Sequence, residues 1–136
     1  MINFSLNQLK CEACSGNTPK LNEIEISDYL KKIKKWNLND NKEMIFKKFT
    51  FKTFKKALNF TNLVGKVADN EGHHPDISLG WGYCLIMIHT HAINGLSKND
   101  FILASKKEEQ KQIIVQNLLF HFVFGVGLFL GYVIMP

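Results

Sequence analysis

Four of the five histidines in this chain lie between Asp69 and Asp100. His73 and His74 are adjacent and followed by Pro75, and His91 ends a later apolar run. Imidazole is the side chain that exchanges protons near neutral pH. So dense a group, with a carboxylate at each end, points to acid–base chemistry or a metal. A lone histidine after a helix is ordinarily a solvated loop residue or a partner of the helix dipole. An adjacent pair fixed by proline and accompanied by a third is harder to explain that way. Pro75 restricts His74 to extended backbone, which would aim its ring. Asp69 can accept a hydrogen bond from a histidine, or stand as a plain polar residue in a last helical turn. Asp100 follows Ser97 at capping-box spacing, which alone would justify it, and it can also orient a histidine. His89 reads as a strand residue, and His121, in an apolar tail, as incidental.

A metal is the competing reading. His73, His74, His91 and Asp69 are all zinc-ligand types, but the helical HExxH spacing is absent. Cys11 and Cys14 form a CxxC with no second pair to complete four ligands, so it is a weak metal or redox signal. Cys84 sits in an apolar run and reads as core. Three cysteines do not make a disulfide framework, and no signal-peptide-like apolar run opens the chain. A reducing cytosol is therefore the expectation. The net charge is +5, and every basic residue is lysine. Specific readout of bases and phosphates leans on the arginine fork. The lysines read as solvated faces, and no nucleic acid is expected as a partner.

The elements that must position the histidines follow from periodicity and punctuation. Residues 1–20 look irregular. Asn22 and Glu25 have capping-box spacing, predicting a helix from Glu23 to Lys35 with Ile24, Tyr29 or Leu30, and Ile33 inward. Trp36 begins an extended segment. Met44 to Phe51 alternates imperfectly, as a strand does. Thr53 can cap a long helix through Asn70, with Phe54, Ala57, Leu58, Thr61, Val64, Gly65 and Ala68 on one face. Gly72 suits its left-handed end, so His73 and His74 fall on the loop just beyond. Tyr83 to Thr90 is the clearest strand, and Ser97 begins a further helix to about Lys107. This order argues for an α+β domain with an antiparallel sheet.

On these residues the chain resembles the pterin-4a-carbinolamine dehydratases. The matching set is His73-His74-Pro75, Trp81 and Tyr83, Thr90-His91, Gly95-Leu96-Ser97, and Asn99-Asp100-Phe101 leading to Ala104. Trp36, the Phe46/Phe49/Phe51 strand, Phe54 with Ala57, and the amino-terminal CxxC add to it. The resemblance implies a four-stranded antiparallel sheet with helices on one face, over residues 21–109. It implies a homodimer or homotetramer, with the Tyr83 to Ile88 strand fitting a sheet continued across subunits. It implies removal of water from 4a-hydroxytetrahydropterin, giving the quinonoid dihydropterin, with no metal or organic cofactor. Hydroxide leaves C4a poorly unless protonated, while a ring nitrogen must lose a proton; imidazoles near pKa 6.5 serve both roles. His73 and His91 are the expected proton-transfer pair, with His74 in support. Asp69, Pro75, Thr90 and Asp100 are expected around the substrate. Trp36 and Trp81 would either stack on a flat ring or pack the core. A binding or assembly module of the same fold, without catalysis, is the other reading.

The family pattern does not account for Gln110 to Pro136. Ile113 to Met135 is almost wholly apolar, and Lys106, Lys107 and Lys111 precede it. At about 1.5 Å rise per residue such a helix nearly crosses a roughly 30 Å hydrocarbon core. The segment 110–136 is read as an apolar helix, with a membrane anchor on a cytoplasmic domain as the leading hypothesis. A helix buried in an oligomer and an extension without a role are the alternatives.

Overall fold

The structure, a computed structural model, describes residues 5–107. Its elements are α1 (Glu23–Leu30), β1 (Asn37–Leu38), β2 (Ile45–Thr50), α2 (Phe54–Glu71), β3 (Asp76–Gly80) and β4 (Tyr83–Ile88). Residues 98–107 form a further helix, α3. The four strands make one antiparallel sheet in the order β1-β2-β4-β3. The expected α+β class and the four-stranded antiparallel sheet are thus present. The apolar carboxy-terminal helix lies outside the described residues. Among the described residues, no helix is long and apolar enough to cross a membrane. Lys107 is fully buried and Lys106 pairs with Glu71, so neither is a freely exposed flanking charge.

One face of the sheet makes the core. Strand side chains alternate, which turns Ile45 and Phe49 of β2 and Cys84, Ile86 and Ile88 of β4 to the same side, all fully buried. Ile26 of α1, Phe60 and Val64 of α2, and Phe101 and Leu103 of α3 join them in one cluster. Phe60 packs on both Phe49 and Phe51, at ring-centroid distances of 4.8 and 5.2 Å.

Helix α2 is capped at both ends as its sequence indicates. Thr53 accepts a hydrogen bond from the Lys56 N–H at 3.2 Å. Gly72 adopts φ 62°, where a side chain is strained. The Gly72 N–H donates to Asp69 O and the His73 N–H to Ala68 O, the Schellman pattern. The inward stripe is Ala57, Phe60, Val64 and Ala68; Phe54 and Leu58, expected inward, are exposed. The large Phe60 ring claims the position that faces Phe49, and the stripe turns to follow it.

Three expectations change. Helix α1 ends at Leu30, not Lys35: residues 31–34 pass into turns with i−3 hydrogen bonds, and Lys35 then takes φ 57° before β1. Strand β3 was not anticipated: Asp-Ile-Ser-Leu-Gly is short and offers only Ile77 and Leu79 as apolar alternation. It pairs with β4 through a hairpin at Trp81 and Gly82. Gly82 has φ 76°, and an added Cβ would stand 2.9 Å from Phe51 O. Finally, β4 is a central strand, so any continuation of the sheet across subunits must use β1 or β3.

Candidate active site

The α2 terminus, the start of β3 and the end of β4 converge at one end of the sheet. The Schellman turn delivers His73 inward, 5 % exposed. Its Nε2–H donates to Asp100 Oδ1 at 2.6 Å. Asp100 is fully buried at the first turn of α3. Its other oxygen accepts from Thr90 Oγ1 at 2.8 Å and from the Ser97 N–H at 2.7 Å. Ser97 and Thr90 hydroxyls meet at 2.7 Å. Asp100 therefore caps its helix and holds a histidine at once, one carboxylate oxygen for each task.

With Nε2 donating, the neutral His73 ring presents Nδ1 as an acceptor, and Cys14 Sγ lies 3.4 Å from it. The amino-terminal segment, with one 3-10 turn at Leu6–Gln8, is fastened over this site. Asn99 donates to Glu12 O at 2.8 Å and to Cys14 Sγ at 3.2 Å, and accepts from the Glu12 N–H. The Cys11 N–H donates to Glu71 Oε2 at 2.8 Å, and Lys106 Nζ pairs with the same carboxylate at 3.3 Å. Burial works to raise the Glu71 pKa, but the Cys11 N–H and the Lys106 ammonium outweigh it and hold the carboxyl below its usual range. Burial, with Glu71 beside it, pushes the Cys11 thiol up to about 12. All three cysteines are free thiols, with Cys14 exposed.

His74 faces outward. Its Nε2–H donates to Asp69 Oδ1 at 2.9 Å, with the two side chains 63 % and 80 % exposed. Asp69 lies in the last turn of α2, so the helix end and the histidine it launches are tied together. His91 is also exposed, and its Nε2 lies 3.9 Å from Asp76 Oδ2. His89 Nε2 lies 3.4 Å from that same oxygen, and the His89 and His91 rings are 3.9 Å apart at their centroids. His89, assigned no role from the sequence, therefore belongs to the same surface as His91. Its signal was the i, i+2 spacing on an extended segment, which puts both rings on one side and Thr90 on the other.

Two other expected residues stand elsewhere. Trp36 is 7 % exposed and packs edge-on against Phe49, 6.2 Å between centroids, in the core. Trp81 is exposed at the hairpin turn, the opposite end of β3 from the histidines, a separation of about 15 Å at strand rise. Neither lines the histidine surface within this chain. Pro75 is half-buried and leads directly into β3. A groove of about 520 Å³ runs along the amino-terminal segment, between Leu9, Pro19, Tyr29, Ser97 and Ile102. No histidine lines it, so the titratable chemistry and this groove are separate features.

The four-stranded antiparallel sheet is the one that the sequence resemblance implied. The model of the pterin 4 alpha carbinolamine dehydratases matches residues 19–110. The chain belongs to that family. A relative from Methylococcus capsulatus, named provisionally as a pterin-4-alpha-carbinolamine dehydratase, is 43 % identical over 105 residues, 77 % of this chain and 92 % of the relative. One from Alkaliphilus metalliredigens with the same provisional name is 42 % identical over 109 residues, 79 % of this chain and 96 % of the relative. Among solved structures, a transcriptional coactivator/pterin dehydratase from Brucella melitensis superposes with a TM-score of 0.65 at 27 % identity, covering 68 % of this chain and 98 % of that one.

Proposed function

We propose that the protein dehydrates 4a-hydroxytetrahydropterins to quinonoid dihydropterins by histidine acid–base catalysis. The observation that carries this is the pair of exposed imidazoles, His74 and His91, each beside a carboxylate at the same end of the sheet. Asp69 accepts from His74 Nε2, so the neutral His74 ring has Nδ1 as its basic atom. One ring, as imidazolium, protonates the departing C4a hydroxyl; the other, neutral, collects the proton from the pterin ring nitrogen. Water leaves, and the two rings have exchanged protonation states.

Burial assigns the third histidine a different part. With both ring nitrogens engaged by Asp100 and Cys14, His73 is a positioning residue. It fixes the backbone that launches His74 and ties that loop to Thr90, the neighbour of His91. This reverses the roles the sequence suggested for His73 and His74. Asp69 and Asp76 stand beside the two rings. They also offer acceptors for the amino edge of a pterin. Thr90 and Asp100, both buried, act through the network rather than on substrate.

The reading requires no metal or organic cofactor for the reaction. A homodimer or homotetramer is proposed on the family membership and on the face of the sheet opposite the core, where Phe46, Leu85 and Met87 are only half-buried. The reading is tested with 4a-hydroxytetrahydropterin generated by an aromatic amino acid hydroxylase. Folded protein should speed its decay well above the buffer rate. A rate equal to buffer contradicts the proposal and favours a binding or assembly role for the same fold.

A further inference from the structure

The His89, His91 and Asp76 cluster contains a second imidazole, His89, that the acid–base reading does not use. The register pairs Asp76 with Met87, so Asp76, Met87, His89 and His91 project from one side of the β3–β4 ladder. Thr90 is extended at φ −96°, ψ 101°, which keeps the two rings on that side. His89 Nε2 and His91 Nε2 lie 3.4 and 3.9 Å from the single oxygen Asp76 Oδ2. All three donor atoms fall within 4.8 Å of one another. These spacings are long for hydrogen bonds, which to a carboxylate run about 2.7–2.9 Å. They are close to the edges of a tetrahedral site, where bonds of about 2.0–2.2 Å put ligands roughly 3.4 Å apart. Two imidazoles and one carboxylate are also a donor set that suits zinc and leaves a fourth position open.

We infer that Asp76, His89 and His91 form a binding site for a borderline divalent cation of the zinc type. The site is only partly exposed at His89, whose side chain is 25 % accessible, so that ring is held in place before an ion arrives. The other two side chains are 57 % and 63 % exposed and leave a path for the ion. Coordination takes the lone pair of His91 that a proton would otherwise occupy. Metal occupancy and proton transfer by His91 are therefore mutually exclusive, and the cation acts as an inhibitor of the dehydratase. That consequence rests on the proposed function; the site itself does not.

Two readouts keep the claims apart. Untagged full-length protein is titrated with Co²⁺, then with Zn²⁺ as competitor. One equivalent of Co²⁺ should bind with a tetrahedral visible band that Zn²⁺ abolishes. His89→Asn should weaken binding by on the order of 10- to 100-fold or more, since a ligand is removed outright. Binding that survives His89→Asn, binding that shows a thiolate-to-cobalt charge-transfer band from Cys11 or Cys14, or no saturable binding would each overturn the site. The dehydration rate is measured in parallel. Zn²⁺ should inhibit wild type, while the dehydration that His89→Asn retains, measured against its own metal-free rate, should resist inhibition. Inhibition equal in both proteins would overturn the site's link to His91. If wild type proves inactive, the Co²⁺ titration still decides the site by itself.

Discussion

Replacing Asp100 should cost stability in a graded way, because its two oxygens do separate work. One accepts from His73 at 2.6 Å; the other accepts from Thr90 and from the Ser97 N–H. Asp100→Ala leaves a buried imidazole N–H and a buried backbone N–H without their acceptor. Each such orphan costs about 1–3 kcal/mol, and loss of the helix cap contributes to the second. The total comes to roughly 2–6 kcal/mol, a large part of the roughly 5–15 kcal/mol that holds a domain folded. Asp100→Asn has the same shape and keeps one oxygen. That oxygen can serve Ser97 and Thr90, while the new amide must face His73. The ring then has to accept at Nε2 and carry its proton on Nδ1, toward Cys14. The charge-assisted bond is lost but no group is orphaned, so the cost should fall to about 1–2 kcal/mol. Urea unfolding of the two variants against wild type measures both values. Asp100→Ala within about 0.5 kcal/mol of wild type, the range of ordinary surface changes, would refute the network as the anchor of this site.

Lys107 supplies a pH test. It is fully buried, its Nζ donates to Val64 O at 2.7 Å, and burial pulls its pKa down to about 8 from 10.5. The unfolded chain binds the proton more tightly, so this group's contribution to stability should rise between about pH 8 and 10.5, with a full range near 3 kcal/mol. In Lys107→Met that rise should be absent, which urea unfolding at several pH values would show; an unchanged pH profile contradicts the assignment. For the thiols, a short alkylation pulse on folded protein at neutral pH should label exposed Cys14 and spare Cys11, whose thiol is buried and pushed up to about 12. Peptide mass spectrometry showing Cys11 labelled as fast as Cys14 would contradict the packing of the amino-terminal segment.

Local signals made much of the frame legible in the sequence. Asn22 with Glu25, Thr53, and Gly72 set the helix boundaries through caps that act within four residues, and each is observed. The apolar run of β4 declared itself by composition. What stayed hidden depends on contacts distant in sequence. Strand β3 forms because β4 and the Gly82 turn give it a partner, not because Asp76 to Gly80 has a strong preference of its own. Asn99 and Glu71, 60 or more residues away, fasten the amino-terminal segment over His73, and no local signal announces that. The sequence sets His73, His74 and His91 in one short window; that His73 is buried while His74 and His91 are exposed was not legible there, because burial depends on the packed fold. Trp36 and Trp81 show the same limit, since an indole serves core, turn or pocket equally well until the topology is known.

The central claim is that His74 and His91, and not His73, exchange protons with the pterin. Its most direct test is the dehydration rate of His74→Gln and His91→Gln beside wild type, with folding checked by circular dichroism. Each variant should lose roughly 10²–10⁴-fold in kcat, the usual contribution of an acid–base group, while the fold is retained. If either variant, properly folded, keeps the wild-type kcat, that histidine does not carry a proton and the account fails.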